Sequence, residues 1–219
     1  MKQRFYAFWI ALFCVIVFIL QSIIPGFTEF FILNQKALNN YEIWRFVSSI
    51  FLHGSLSHLA FNLFALLFFG FILEKTIGSR KFLFSFLVSG IIANIIAINY
   101  YNSSLGASGA IYGLLGTLTI LKPMMMVWAF GLIMPMFIAS IMWVTADVLR
   151  TLGAFGPTNV GSIAHLSGIV VGIVFGIIFL INKRKNKRMK GNKNNSNNRI
   201  KINFNEGFME NWENYNLGR

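Results

Sequence analysis

Two residues whose side chains can do chemistry lie in apolar surroundings: Ser108 and His165. The serine stands in the run Gly106-Ala107-Ser108-Gly109, which opens a short apolar stretch, and the histidine lies near the start of a later one. Polar and titratable groups are costly inside a membrane and are usually there for chemistry or transport. A neutral imidazole accepts the proton that a serine hydroxyl must lose to become a nucleophile. The pair therefore predicts a nucleophile and its general base.

A third, acidic member of this constellation is not evident from the sequence. Asp147 falls near the outer end of an apolar run, but nothing in the sequence places it against His165. The sequence therefore favours a Ser-His dyad over a triad.

The composition excludes a soluble globular protein. Hydrophobic residues make up 56% of the 219 residues and charged residues only 12%, and the mean hydropathy is +0.63. So little charge cannot cover the surface of a soluble globule, and an integral membrane protein is predicted. The first apolar run, 8–24, is followed by further runs, and it is interpreted as a retained span rather than a secretion signal.

Six apolar runs are interpreted as helices that cross a hydrocarbon core of ~30 Å. The predicted spans are 8–24, 57–73, 82–98, 108–121, 125–147 and 160–181. Lysines and arginines concentrate in the connections on one side, so the positive-inside rule places that side and both termini in the cytoplasm. On the other side, the connection 25–56 is predicted to be an amphipathic segment that rests in the outer interface.

The net charge of +12 belongs largely to the end of the chain, because residues 183–219 hold ten of the nineteen lysines and arginines. The composition there changes to Asn, Lys, Arg and Ser, which predicts a membrane domain, 1–182, and a disordered tail, 183–219. The basic run that starts at Lys183 is attributed to attraction by anionic lipids of the inner leaflet. No nucleic-acid partner is expected.

The depths of the two chemical residues agree. The fourth predicted span covers only ~21 Å, which puts Ser108 ~10 Å below the outer face if the inner end of the span lies at the cytoplasmic face. His165 comes to ~8 Å by the same count. The irregular backbone before Ser108 cannot be solvated by lipid, so a water-filled cavity is predicted on the outer side.

Two further pairs of polar residues share these helix faces at a spacing of four. His58 lies with Asn62 on the second span, and Ser108 lies with Tyr112 on the fourth. The His58 and Asn62 side chains and the Ser108 backbone amide are candidate donors to a developing oxyanion. The glycines of the fourth and sixth spans, Gly109 and the pair Gly168 and Gly172 among them, permit the close helix approach that Ser108 and His165 need.

Together these residues resemble the rhomboid family of intramembrane serine proteases, over most of residues 40–180. Five ordered motifs carry the resemblance: Trp44-Arg45, His58-x-x-x-Asn62, Gly70-x-x-x-Glu74-x-x-x-Gly78, Gly106-Ala107-Ser108-Gly109 with Tyr112, and Ala164-His165-x-x-Gly168-x-x-x-Gly172. A GxSG run alone is weak, but five motifs in order on the expected spans are strong.

The resemblance implies an all-α membrane protein, a six-transmembrane-helix bundle with both termini cytoplasmic. It also implies a serine endopeptidase that cleaves transmembrane protein substrates through an acyl-enzyme, without metal, nucleotide or other cofactor. By motif position Ser108 would be the nucleophile and His165 the base, while His58, Asn62 and the Ser108 amide would form the oxyanion hole. Tyr112 would pack against the histidine ring, next to the supporting glycines Gly106 and Gly109. The remaining motif residues would be structural: Trp44, Arg45, Glu74, Gly168 and Gly172.

Local chemistry suggests how some of these structural residues act. Trp44-Arg45 is interpreted as an interfacial anchor of the first outer connection. Glu74 with Lys75 and Arg80 is interpreted as an ion network at the cytoplasmic edge.

Two alternatives from other functional classes remain open. One is a rhomboid-like protein that binds membrane spans without cutting them, although such a protein would typically lack the nucleophile or the base. The other is a six-span transporter in which His58, His165 and Asp147 serve a proton or cation path, although no internal repeat supports it. The absence of an organelle-targeting segment favours a prokaryotic plasma membrane.

Overall fold

A computed structural model of the protein describes residues 5–156 and 160–216. Within them the backbone forms nine α-helices: α1 (Tyr6–Ile23), α2 (Phe27–Phe31), α3 (Gln35–Asn39), α4 (Arg45–Ser48), α5 (Leu56–Ile77), α6 (Ser79–Ala97), α7 (Ser108–Leu121), α8 (Met136–Thr151) and α9 (Ser162–Asn216). Two antiparallel pairs of short strands accompany them: β1 (Leu33–Asn34) with β2 (Ser103–Ser104), and β3 (Met126–Ala129) with β4 (Leu132–Pro135).

Four helical segments are long and apolar enough to cross a membrane: Tyr6–Ile23, Leu56–Ile77, Ser79–Ala97 and Ser162–Met189. They coincide with four of the predicted spans, and α7 has the bounds of the predicted span 108–121. The chain is thus a mostly helical integral membrane protein. The α7 helix is buried along most of its length, which explains how fourteen residues suffice at the centre of a bundle.

The predicted span 125–147 is wrong in its first half, because this segment starts as a β-hairpin and becomes helical only at Met136. Phe130 (φ 53°) and Gly131 (φ 80°) both have positive φ, as a type I′ hairpin turn requires. Along β3 buried and exposed residues alternate, with Val127 and Ala129 inward. An apolar run alone does not distinguish a strand from a helix, so the hydropathy of this segment does not reveal the hairpin.

The first long connection is compactly folded rather than one amphipathic segment. Arg45, 7% exposed, donates from Nη1 to the backbone carbonyls of Glu29 at 2.6 Å and Ile32 at 2.9 Å. Its Nε forms an ion pair with Glu42 at 2.6 Å, while Trp44 stacks on Phe30. Arg45 therefore shapes the first connection, as the interpretation of Trp44-Arg45 expected, and it does so from a buried position within that connection. Its buried fork satisfies carbonyls that have no helix partner.

Glu74 caps the N-terminus of α1 instead of forming the expected ion network. Its carboxylate, on α5, accepts from the backbone N–H of Tyr6 at 2.8 Å and of Ala7 at 3.0 Å. Among the ion pairs of the described residues none involves Glu74, so the expected pairing with Lys75 and Arg80 is wrong. The first N–H groups of a helix lack internal partners, and a carboxylate there also interacts favourably with the helix dipole.

We expect Glu74→Ala to destabilise the fold by about 3 kcal/mol, because it removes the carboxylate that accepts from two N–H groups at the start of α1, one of them in a buried contact. Glu74→Gln keeps one acceptor oxygen and is expected to cost about half as much. The measurement is thermal unfolding in detergent. Lys75→Ala, one residue along α5 and exposed, is the matched control. A Glu74→Ala protein as stable as the control would contradict this capping role.

The chain divides into two compact units, Met1–Ile178 and Phe179–Arg219. Residues 183–216, whose composition predicts a disordered tail, are helical and form the last part of α9. The side chains of residues 183–188, which include most of the basic run, are exposed.

Candidate active site

A cavity of about 1060 Å³ contains most of the residues that the sequence singled out. Residues from α5, α6, α7, α8 and the start of α9 line it, together with the connection that precedes α7. Ser108, His165, His58 and Asn62 all contribute to its wall. The packing of the helices therefore brings together residues that are far apart in sequence, as the predicted depths required.

Ser108 is the first residue of α7 and is half-buried in the cavity wall. The backbone reaches it through Gly106, which has φ +118° and donates its N–H to the Ser49 carbonyl at 2.9 Å. A Cβ on Gly106 would lie 2.7 Å from Cε1 of His58, so both the conformation and the space favour glycine. The position at a helix N-terminus leaves the Ser108 N–H without a partner in the helix.

His165 lies in the first turn of α9, 9% exposed. Its ring stacks on that of Tyr112 with a centroid separation of 4.2 Å and an interplanar angle of 10°. This is the packing that the family resemblance implied for Tyr112. The stack restricts the tilt of the imidazole and holds it beside the N-terminal half of α7.

The structure places an acidic residue against His165, where the sequence had indicated none. Oδ2 of Asp147, on α8, lies 3.1 Å from Nδ1 of His165. Asp147 is fully buried, and its other oxygen accepts from Nη1 of Arg150 at 3.0 Å. With Nδ1 engaged, Nε2 is the ring nitrogen available to Ser108. Within the described residues no hydrogen bond joins Ser108 Oγ to this nitrogen, and such catalytic contacts often tighten only when substrate is bound.

His58 and Asn62 supply further donors to the same cavity. Asn62 is buried and donates one N–H from Nδ2 to the carbonyl of His58 at 2.9 Å. A side-chain amide has two donor hydrogens, so one stays free for a ligand. The backbone N–H of His58 is capped by the Ser55 hydroxyl, and this begins α5.

Two residues whose role the sequence did not indicate, Asn94 and His53, support this site. Asn94, buried on α6, donates to the Phe46 carbonyl at 2.9 Å and to Ser49 Oγ at 3.0 Å, which ties α6 to the first connection. His53 is also buried, and its ring meets that of His58 edge-on at 5.1 Å. Burial and the neighbouring His58 lower the pKa of His53 to about 4, so its ring is neutral at neutral pH. A buried polar residue type within an apolar run is the sequence signal that would have found Asn94.

Glycines allow α7 and α9 to touch backbone to backbone. A Cβ at Gly168 would collide with the carbonyl oxygen of Gly109, and one at Gly172 would collide with that of Gly113. Across the same contact the Thr117 hydroxyl donates to the Gly172 carbonyl at 3.0 Å. The close approach predicted from the four-residue glycine spacing is confirmed at these positions.

The cavity offers the components of acyl-transfer chemistry: a hydroxyl, a buried imidazole, and several N–H donors near them. In the described part of the chain no three His, Cys, Asp or Glu residues cluster in a way that could hold a metal ion.

Comparison with known proteins shows to which protein family the chain is related. A family model described as a Rhomboid domain matches residues 40–182. The chain is 30% identical over 172 residues to the Rhomboid protease GlpG of Serratia proteamaculans, an alignment that covers 73% of this chain and 57% of that protein. It is 27% identical over 190 residues to the protein of the same name from Salmonella paratyphi A, with 81% and 64% covered.

Rhomboid-like protease 3 of Toxoplasma gondii is 30% identical over 118 residues, which cover 49% of this chain and 45% of that protein. The chain thus spans less than two thirds of the length of these relatives. The domain match, in contrast, covers more than half of the chain and includes the whole cavity wall. The chain belongs to the rhomboid family.

Proposed function

We propose that this protein is an intramembrane serine endopeptidase that cleaves transmembrane protein segments. The observation that carries the proposal is the single cavity lined by a serine at a helix N-terminus and by a buried histidine whose ring is stacked. The relatives named as proteases support it.

Ser108 and His165 perform the covalent steps. Ser108 Oγ attacks the scissile carbonyl carbon while Nε2 of His165 accepts the hydroxyl proton. The tetrahedral intermediate collapses to an acyl-enzyme as Nε2 returns this proton to the leaving amine. A water molecule then attacks the ester and loses its proton to Nε2. As the ester bond breaks, Nε2 returns this proton to Ser108 Oγ, which releases the new carboxyl terminus and restores the serine hydroxyl.

Three donors stabilise the charge that develops on the substrate oxygen. The Ser108 N–H has no acceptor within its helix, and Asn62 has a second side-chain N–H beyond the one that it donates to His58. The His58 ring lies next to Gly106, close to the serine in the chain. Donors fixed before the reaction stabilise an oxyanion without reorganisation, and losing one typically costs ~10²–10³ in kcat.

The proposed enzyme crosses the membrane six times. In addition to the four long spans, α7 and α8 cross the membrane, and the 16 residues of α8 cover ~24 Å. Both termini lie in the cytoplasm, in accord with the distribution of basic residues in the connections.

The bacterial relatives support a prokaryotic plasma membrane as the location. The exposed basic run from Lys183 to Arg188 lies near anionic lipid headgroups, as part of a C-terminal segment distinct from the membrane domain.

Fluorophosphonate labelling of the detergent-purified protein tests the proposal, because an activated serine hydroxyl displaces fluoride from phosphorus and becomes phosphonylated far faster than an unactivated one. We expect the wild-type chain to be labelled, Ser108→Ala to give no label, and His165→Ala to be labelled at least ~10²-fold more slowly. Ser22→Ala is the control, since this exposed hydroxyl bonds only within its own helix. A folded wild-type protein that neither labels nor cleaves a transmembrane reporter would refute the proposal and favour span binding or transport.

A further inference from the structure

We propose that Asp147 is a positioning residue, which holds His165 in the one tautomer that can accept a proton from Ser108. The proposal rests on the function proposed above for its kinetic consequence, but the contact that motivates it is independent of that function. Asp147 is fully buried within α8, where the cost of a charged group must be offset by specific partners.

The two oxygens of Asp147 contact different residues, and the Tyr112 hydroxyl lies beside the same carboxylate. Oδ2 lies 3.1 Å from His165 Nδ1, and Oδ1 lies 3.0 Å from Arg150 Nη1. An ionised carboxylate only accepts hydrogen bonds, so Nδ1 must carry the proton in this contact. The lone pair is then on Nε2, and this is the nitrogen that a neighbouring hydroxyl needs.

Two elements hold the imidazole, and each restrains a different property. Tyr112, on α7, stacks on the ring and restricts its tilt. Asp147, on α8, sets the rotation within the ring plane and selects the tautomer. His58, on α5, lines the same cavity as His165. Among these only Asp147 accepts from Nδ1.

The proton balance of the proposed role is simple. When Nε2 accepts the Ser108 proton, the imidazolium that forms stays hydrogen-bonded through Nδ1–H to Oδ2, and the carboxylate keeps its charge. The proton on Nε2 then leaves with the amine. Asp147 therefore transfers no proton and acts only through His165.

Arg150 makes the substitution Asp147→Asn informative. Because Nη1 of Arg150 donates to the Oδ1 position, an asparagine will turn its carbonyl oxygen toward Arg150 and its NH₂ toward His165. That NH₂ needs an acceptor, which favours the tautomer with the proton on Nε2. The ring would then keep its place but lose its ability to act as a base toward Ser108.

The kinetic test measures cleavage of a transmembrane reporter. Asp147→Asn is expected to lower kcat by ~10²–10⁴-fold and to leave KM unchanged. Adding Arg150→Ala to Asp147→Asn frees the asparagine to turn its oxygen toward Nδ1, and we expect at least ~10-fold recovery. Arg150→Ala alone should change kcat far less than Asp147→Asn. A merely structural role for Asp147 predicts the opposite, because the double variant would be the less stable and the less active one.

A second measurement does not require activity. The chain has three histidines, so ¹⁵N-histidine labelling gives a spectrum with few signals, and His165→Ala assigns those of His165. We expect the Nδ1–H tautomer in the wild type and the Nε2–H tautomer in Asp147→Asn. An unchanged tautomer with wild-type kcat would overturn the inference. If the tautomers are as expected but the wild-type protein does not cleave the reporter, the proposed function is refuted and the inference about Asp147 stands.

Discussion

Replacement of Ser108 by alanine is expected to lower the rate of cleavage of a transmembrane reporter by ~10⁴-fold or more. Ser108 stands at the N-terminus of α7 and in the wall of the cavity that His165 also lines, so its loss removes the proposed nucleophile. His165→Ala should have a comparable effect, since an unassisted serine is a weak nucleophile. The two losses should not add in the double variant, because the residues act in one step.

The measurement is single-turnover and steady-state cleavage in reconstituted vesicles, with the fold checked by thermal unfolding. Ser22→Ala removes an exposed hydroxyl on α1, far from Ser108 in the sequence, and this variant should cleave at the wild-type rate. Residual turnover near that rate in a folded Ser108→Ala protein would show that another group is the nucleophile.

Gly172→Ala is expected to destabilise the membrane unit by at least about 3 kcal/mol, at the upper end of the cost of overpacking. The added methyl group would run into the backbone of Gly113, with the carbonyl carbon at 2.7 Å and Cα at 2.9 Å. Backbone cannot rotate away as a flexible side chain does, so α7 and α9 must separate. Because these helices carry Ser108 and His165, cleavage should fall together with stability.

Thermal unfolding in detergent measures this effect, and Gly207→Ala is its matched control. Gly207 also lies within α9, but a Cβ there would meet nothing within 4 Å. Alanine is favoured over glycine in a helix by ~1 kcal/mol, so the control should be as stable as the wild type or slightly more so. Equal midpoints for the Gly172 and Gly207 variants would mean that the two helices are not in backbone contact.

Several features of the site were predictable because they depend on depth along a span. Hydropathy placed the start of the fourth span at Ser108, which is where α7 begins. The same count put His165 at a similar depth, and both residues line one cavity. Glycine spacing identified the contact between the two helices because only residues without a Cβ fit there.

Other features were not predictable because they depend on which side chains meet across helices. Asp147 was visible as a polar residue at the end of a span, yet its contact with His165 depends on the rotation of α8 about its axis. Glu74 was expected among neighbouring cations and instead accepts from the backbone of α1. In both cases the carboxylate contacts a partner that helix packing brings near, not one that was expected from the sequence.

The sequence by itself determined the membrane class, the positions of most spans, and the residue types that can perform acyl transfer. It could do so because burial in lipid acts on each residue according to its own polarity, and polarity is written in the residue type. Only the tertiary structure decided three features: the segment before α8 is a hairpin, the Glu74 carboxylate caps the N-terminus of α1, and the Asp147 carboxylate contacts His165. These outcomes depend on interactions between residues that are distant in the chain, and their free energies exist only once the helices are packed.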